Sequence, residues 1–238
     1  MESIKGKNIL LIGATGGIGR RVAVLLKQSG AHLFIHGRNE LATVELANEL
    51  QLSPQHYFIG DLTTSATVHQ LNQQYFAAYS TIDILINAAG IGIIKPVEQL
   101  TEEEFFQTII TNLFSPYLII KSFLPSMKEL KKGLMIHIPG VLGKVPMAGA
   151  AAYAASKYGL VGMLQSIREE IKRTDIRITN IIMGGVDSPF WDKIELRVQR
   201  DKMITAEEAA KAIWFLCQQP TSAVISEMVL QPFNHQAI

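Results

Sequence analysis

Short apolar runs alternate along the chain with longer segments in which apolar and polar positions recur at helical spacing. The apolar runs fall at residues 8–12, 32–36, 56–60, 82–87, 134–138, 177–182 and 224–230. Between them, residues 17–29, 40–50, 66–79, 102–131, 152–172 and 206–218 predict amphipathic helices. Thr101 with Glu104, and Thr205 with Glu208, read as capping boxes, in which a threonine oxygen and a later glutamate satisfy the free amides of a helix start. Strand, helix and strand in succession argue for a parallel sheet covered on both faces. Runs that are apolar throughout, and not only at alternate positions, fit strands buried on both sides. The expectation is α/β, a doubly wound seven-stranded parallel sheet in three layers. No linker, repeat or low-complexity tract divides the 238 residues, so one domain over 1–238 is expected.

Glycines punctuate the turn after the first run. Residues 9–20 read Ile-Leu-Leu-Ile-Gly-Ala-Thr-Gly-Gly-Ile-Gly-Arg: the strand ends at Gly13, Thr15 lies in the turn, and Gly17, Ile18 and Gly19 open a helix. A Rossmann-type turn of this kind lets amides at a helix N-terminus face a pyrophosphate, helped by the helix dipole. A Cβ at these positions would hold the phosphates away. An ordinary glycine-rich turn has the same composition, and the strand–turn–helix setting separates the two. At the end of the second strand, an acid about 20 residues past the glycines would accept bonds from the adenosine ribose. This chain has Gly37 and then Arg38 there. A guanidinium with no carboxylate beside it favours a 2′-phosphate, hence NADP(H) over NAD(H), unless Arg38 is a solvated turn residue. Asp61, after the third strand, is a candidate for the adenine edge or for the N-cap of the following helix.

Composition narrows the partners. The 22 basic and 21 acidic residues give a net charge of +1, with no dense basic stripe and so no electrostatic footprint for nucleic acid. Cys217 is the single cysteine, which excludes an intrachain disulfide and fits a reducing cytoplasm. Residues 1–8 lead straight into the first strand without the long apolar stretch of a signal peptide. The least charged stretch, 133–155, is broken by Pro139, Pro146 and several glycines, so it reads as strand and loop and not as a membrane helix. His32 and His36 share one side of a strand with no third ligand, so no metal site is expected. His137, late in the fifth strand, reads as structural. No serine context forms a nucleophile elbow, which argues against a hydrolase.

Tyr153 and Lys157 stand four residues apart at the start of a predicted helix, on one face of it. They follow a strand and a glycine-rich loop, at the sheet edge where open α/β folds bind ligands. An ammonium there would lower the phenol from its ordinary pKa of about 10. A phenol so tuned gives a proton to a carbonyl oxygen as a hydride arrives, or removes one in the reverse direction. Spacing alone is weak evidence, since Tyr117 and Lys121 share it inside the apolar helix 113–124, where packing or a subunit contact is expected.

Taken with Asn87-Ala88-Ala89-Gly90 after the fourth strand, these residues resemble the short-chain dehydrogenase/reductase family nearly end to end. The glycine loop fits both Gly-xxx-Gly-x-Gly of the short members and Gly-xx-Gly-xx-Gly of the longer ones, and length points to the short single-domain form. The resemblance implies that Asn87, Ala88 and Gly90 stabilise the sheet beside the cofactor, and that Asp61 and Leu62 meet the adenine. Gly184, Val186 and Ser188 match the family's Pro-Gly-x-Val-x-Thr cofactor lid, with Met183 at the proline and Ser188 keeping the hydroxyl. Tyr153 takes the acid/base place, and Lys157 also binds the nicotinamide ribose. Asn112 matches the asparagine that holds a water in the proton relay; a helix-kinking polar residue is its other reading. One position departs. The family serine, thirteen residues before the tyrosine, is Gly140 within Ile138-Pro139-Gly140. Losing one such donor costs about 2.7–4 kcal/mol.

Two functions follow as expectations. The first is an NADP(H)-dependent oxidoreductase interconverting a carbonyl and an alcohol, with Tyr153, Lys157 and Asn112 catalytic. The second, motivated by Gly140, is a dinucleotide-binding protein with little or no turnover, acting as a sensor or subunit. Residues 184–203 are expected to form a lid, with Phe190 and Trp191 shaping a partly apolar pocket for a small carbonyl or alcohol. Helices 102–124 and 152–173 carry apolar residues on more than one face. The resembling family pairs such helices into homodimers or homotetramers, though sheet packing alone would also account for the surplus.

Overall fold

Branched aliphatic runs such as Ile9-Leu10-Leu11-Ile12 favour a pleated strand that can be buried on both sides, and the computed structural model, which describes residues 1–234 apart from the Lys193 side chain, places them so. The last four residues of the expected 1–238 unit lie outside the described residues. The strands are β1 (Asn8–Ile12), β2 (His32–Gly37), β3 (Tyr57–Ile59), β4 (Ile84–Asn87), β5 (Lys132–His137), β6 (Asp175–Met183), the two-residue β7 (Val186–Asp187) and β8 (Ile204–Thr205), and β9 (Glu227–Leu230). The helices are α1 (Gly17–Gln28), α2 (Glu40–Glu49), α3 (Ser65–Ala78), α4 (Glu102–Ile109), α5 (Ser115–Leu130), α6 (Ala151–Ile171) and α7 (Ala206–Leu216).

Seven strands form one sheet in the order β3-β2-β1-β4-β5-β6-β9, every pair parallel, while β7 and β8 pair with each other. The chain runs outward from β1 to β3 and then returns to the other side of β1. That reversal opens a crevice at the carboxyl ends of β1 and β4, where open α/β sheets bind ligands. Ile9 and Leu11 face a core shared with Val22, Leu26, Leu46 and Ile213, while Leu10 and Ile12 face a second core with Leu71, Tyr75, Phe123 and Leu164. Both faces are therefore dry, as the uninterrupted apolar runs required.

Both expected capping boxes form, at Thr101/Glu104 and Thr205/Glu208. Three details differ from the sequence reading. The expected helix 102–131 is divided by a π turn, Ile110–Phe114. The last strand is shorter than its apolar run and is a half-exposed edge. Asp61 is not a helix cap, because Thr64 caps α3 while Asp61 Oδ1 accepts the Thr63 amide at 3.1 Å in a turn. No helix among the described residues is long and apolar enough to cross a membrane.

The carboxyl ends of the strands carry a polar row. Register pairs Ile12 with both His36 and Asn87, Asn87 with His137, and His137 with Asn180. All four polar members are buried. Burial holds both imidazoles neutral, His36 at about 4 and His137 at about 3 against an ordinary 6.5. Unfolding returns each to its ordinary value, so the unfolded chain binds more protons between the two. Stability is therefore complete above about pH 6.5 and is lost as pH falls toward the folded values. We expect the melting temperature, followed by circular dichroism at constant ionic strength, to fall between about pH 7 and pH 5 by the equivalent of about 1–2 kcal/mol per histidine, at about 2–4 °C per kcal/mol. His137→Leu should flatten that dependence, and an unchanged slope would overturn the assignment.

Candidate active site

Gly13 ends β1 at φ +77, and a Cβ there would stand 2.7 Å from the Ala89 nitrogen and 2.8 Å from its Cα. Conformation and space thus both exclude a side chain, and the backbone of the first turn presses on the turn after β4. Asn87 fixes that second turn, its Oδ1 accepting the Ala89 amide at 3.1 Å, while the Ala88 amide donates to Ile12 O at 3.0 Å. A Cβ on Gly19 would overlap Gly13 O, so this glycine serves the turn itself. At the end of β2, a Cβ on Gly37 would overlap Thr43 Oγ1 and stand 2.8 Å from Thr15 Cγ2. That crowding is the steric reason no carboxylate occupies this position.

These turns surround a cavity of about 520 Å³ lined by Gly13, Thr15, Gly16, Gly37, exposed Arg38, Asn39, Asp61, Leu62, Ala88 and Gly90. Its size and its place at the strand reversal suit a bound nucleotide. A larger hollow of about 730 Å³, between residues 201–208 and 230–234, shares no lining residue with the first cavity.

Tyr153 and Lys157 occupy the first turns of α6. Lys157, only 4% exposed, donates from Nζ to Ile138 O at 3.2 Å, with Nζ 5.5 Å from the centroid of the Tyr153 ring. Asn112 is buried in the π turn, where the helix is distorted, as its helix-kinking reading anticipated. Its Oδ1 accepts the Ile91 amide at 2.9 Å, and its Nδ2 donates to Ile91 O at 2.8 Å and Ser156 Oγ at 3.1 Å. Ser156 Oγ in turn donates to Tyr153 O at 2.7 Å. A Cβ on Gly90 would stand 3.3 Å from Asn112 Oδ1 and 3.4 Å from Lys157 Nζ. Gly90, which lines the cavity, thus stands against the lysine and the asparagine. By contrast Tyr117 and Lys121 face outward, the ammonium 5.8 Å from a ring that is 40% exposed.

Burial pushes the Tyr153 phenol above its ordinary range and the Lys157 ammonium down to about 8. The expected lowering of the phenol is not the balance found. No hydrogen bond joins Nζ to the phenol among the described residues, and desolvation drives each group toward its neutral form.

Gly140 follows β5 at φ +74 and ψ 171, a region essentially reserved for glycine. A Cβ there would meet only Met183 O, at 3.6 Å, so space is open while the backbone is closed to other residues. Behind α6, neither ring nitrogen of His137 and neither amide atom of Asn180 has a hydrogen-bond partner among the described residues.

Residues 188 and 189 lie directly over the glycine turn after β1. A Cβ on Gly17 would stand 2.8 Å from Ser188 Cβ and 2.9 Å from Pro189 Cδ. Phe190 turns inward to a centroid distance of 5.8 Å from the Tyr153 ring. Arg200 binds the lid together, Nε donating to Asp187 Oδ1 at 2.5 Å, Nη1 to Asp192 Oδ1 at 2.7 Å and Nη2 to Ser188 O at 3.0 Å. Val186 O accepts Trp191 Nε1 at 2.9 Å, and the Gly184 amide donates to Leu230 O at 2.9 Å.

Of the cofactor residues read from sequence, Gly13, Thr15, Arg38, Asp61, Leu62, Ala88 and Gly90 line the cavity. Gly17, Ile18, Gly19 and Asn87 do not line it, nor do Tyr153, Lys157, Gly184, Val186 and Ser188. Sequence reasoning passed over Asn39, which follows Arg38 and caps α2 by accepting the Ala42 amide at 2.9 Å; the Asn-Glu junction was the available signal. It also passed over Gly92, for which no local signal exists, because what crowds it is Phe190.

Among proteins of known sequence, an uncharacterized oxidoreductase of Staphylococcus epidermidis is 27% identical over 232 residues, covering 98% of this chain and 100% of that protein. Sepiapterin reductase of Chlorobaculum tepidum is 28% identical over 236 residues, covering 95% of this chain and 96% of that protein. A solved metagenomic short-chain oxidoreductase, in complex with NADP, superposes with a TM-score of 0.83 at 27% identity, covering 97% of this chain and 99% of that one. Residues 7–199 match the family model for short chain dehydrogenase. With that match over most of its length, and with the parallel sheet that these relatives share, the chain belongs to the short chain dehydrogenase family of oxidoreductases.

Proposed function

We propose that this protein is an NADP(H)-dependent oxidoreductase that interconverts a carbonyl and an alcohol, with Tyr153 moving the proton. The observation that carries the reading is that Gly90, which lines the nucleotide-sized cavity, stands against Lys157 and Asn112, with Tyr153 one helical turn before Lys157. The nicotinamide cofactor, when bound, supplies or accepts the hydride. Gly13, Thr15, Gly17, Ile18 and Gly19 would face its diphosphate, Asp61 and Leu62 its adenine, and Arg38 a 2′-phosphate that no acid at Gly37 repels. Asn87, Ala88 and Gly90 would flank its central portion, Lys157 the nicotinamide ribose, and Gly184, Val186 and Ser188 its nicotinamide end. The NADP bound to the metagenomic relative supports this choice.

In the reducing direction Tyr153 Oη gives its proton to the carbonyl oxygen. Lys157 stabilises the phenolate left behind, because its ammonium, at about 8, stays charged at neutral pH. Asn112 holds Ile91 against Ser156 and so keeps α6 in place beside the cavity. Gly140 favours a second reading, cofactor binding with little turnover, since no hydroxyl at that position steadies the substrate oxygen. The chain works as one unit with its lid, in a reducing cytoplasm.

It also assembles with a second copy. Phe106, Ile110, Phe114, Tyr117 and Tyr158 leave a row of exposed apolar surface on α4, the π turn, α5 and α6, with Phe106 57% exposed. Exposed large apolar side chains gathered on neighbouring elements mark an interaction site when they form one patch.

Four outcomes are expected. NADPH consumption, followed by absorbance over a panel of aldehydes and ketones, should fall about 10²–10⁴-fold in Tyr153→Phe while NADPH still binds. In the wild type kcat/KM for reduction should decline above about pH 8, as Lys157 loses its proton. Binding without turnover on any carbonyl would decide for the second reading. Gly140→Ser should not raise the rate, and should cost about 1–3 kcal/mol of stability, because serine resists the backbone that glycine adopts there; a faster, equally stable variant would refute this. Light scattering coupled to size exclusion should return a multiple of 26.3 kDa, and a monomer at micromolar concentration would refute assembly.

A further inference from the structure

The lid reaches the reactive phenol through one side chain. Phe190 lies in the short turn Pro189–Lys193, its ring centroid 5.8 Å from that of Tyr153 and tilted by 44°. Trp191 meets the same ring edge-on at 5.3 Å. On a third side the ring rests against the bare backbone of Gly92, where any Cβ would overlap it. Gly92 is not among the residues with left-handed backbone, so its conformation does not demand glycine; the phenyl ring does. The ring is also anchored from behind, since Trp191 Nε1 bonds Val186 O, Arg200 joins three points of the lid, and Ser188 and Pro189 rest on Gly17. Near Gly140, in contrast, an added methyl would meet a single atom. The site is therefore lopsided, hard and aromatic at the lid and open at the glycine.

We propose that Phe190, seated on Gly92, is the specificity-determining wall beside Tyr153, selecting carbonyl compounds whose lid-facing group is flat and apolar and rejecting those branched there. This rests on the oxidoreductase reading above. A ring backed by backbone cannot recede, so each extra branch is excluded sterically, and pockets discriminate by about 10–200-fold per methylene in this way. A flat aryl group gains an offset or tilted contact with the ring. A carboxylate gains no such contact with the ring. Arg200 of the lid is engaged by Asp187 and Asp192.

The test has two arms. In the first, calorimetry measures how benzamide, which is not reduced, binds to wild type, Phe190→Ala and Gly92→Ala with NADP⁺ present, beside acetamide as the small control. Both variants should weaken benzamide about three- to tenfold, the contact of an aromatic pair, and leave acetamide unchanged. In the second, kcat/KM is compared for benzaldehyde and a tert-butyl ketone. Phe190→Ala and Gly92→Ala should each relax the preference for benzaldehyde, and the double variant should relax it no further than Phe190→Ala, because both changes vacate one contact. Phe190→Leu should keep the size limit and lose the aryl preference. NADPH affinity should hold in all variants. Equal benzamide affinity in wild type and Phe190→Ala, no benzamide binding at all, or additive effects of the two single changes would overturn the wall. Variant-dependent benzamide binding in a protein that reduces no carbonyl would leave the wall standing and overturn only the oxidoreductase reading.

Discussion

The backbone of the turn after β1 lies against the backbone of the turn after β4, with no room for a side chain between them, and the rest of the site is hung from that contact. It exists because the strand order reverses at β1, which makes β1 and β4 neighbours although two strands and three helices separate them in the chain. Gly13 lets the first turn approach, and Asn87 holds the second in shape from its own side chain. Gly90, at the far end of that second turn, then comes within reach of Asn112 and Lys157. The glycine turn, asparagine and lysine are thus fixed relative to one another through main chain, whose position is far less adjustable than that of side chains.

Desolvation is the second constraint, and it acts along a line. The row His36, Asn87, His137 and Asn180 marks where the apolar sheet gives way to polar chemistry, one residue deep and buried. The same dryness that keeps the imidazoles neutral brings Lys157 close to neutral solution pH and raises the phenol. The lysine therefore contributes charge in a site where charge is costly, which is the setting in which one positive group acts most strongly on a developing negative one.

What the sequence disclosed follows how local each signal is. Strands, helices and both capping boxes are written in neighbouring residues, and so were legible. The glycine turn and the Tyr153–Lys157 spacing gained meaning from their place after strands. The helix-kinking reading of Asn112 anticipated a distortion, but its form as a π turn was not legible because its cause is distant: Asn112 is drawn to Ile91 and Ser156, neither of which flanks it. Asp61 was ambiguous because an aspartate suits a turn and a cap alike, and Thr64, three residues later, won the cap. The Phe190–Gly92 seat joins residues far apart in the chain and had no local trace. The upward shift of the phenol was likewise invisible, since spacing reports proximity and says nothing of water.

The π turn also ties two surfaces to one residue. An α-helix advances about 100° per residue, so the single extra residue in Ile110–Phe114 sets the rotational phase of everything that follows it in α5. Asn112 points into the molecule while Phe114 and Tyr117 point out of it, and neither orientation can be altered without the other. A deletion of one residue here would swing the asparagine away from Ser156 and carry the outer aromatic pair around the helix together. Insertions and deletions at this point are thus constrained twice, once by the interior and once by the exterior, in a segment where no single side chain would reveal it.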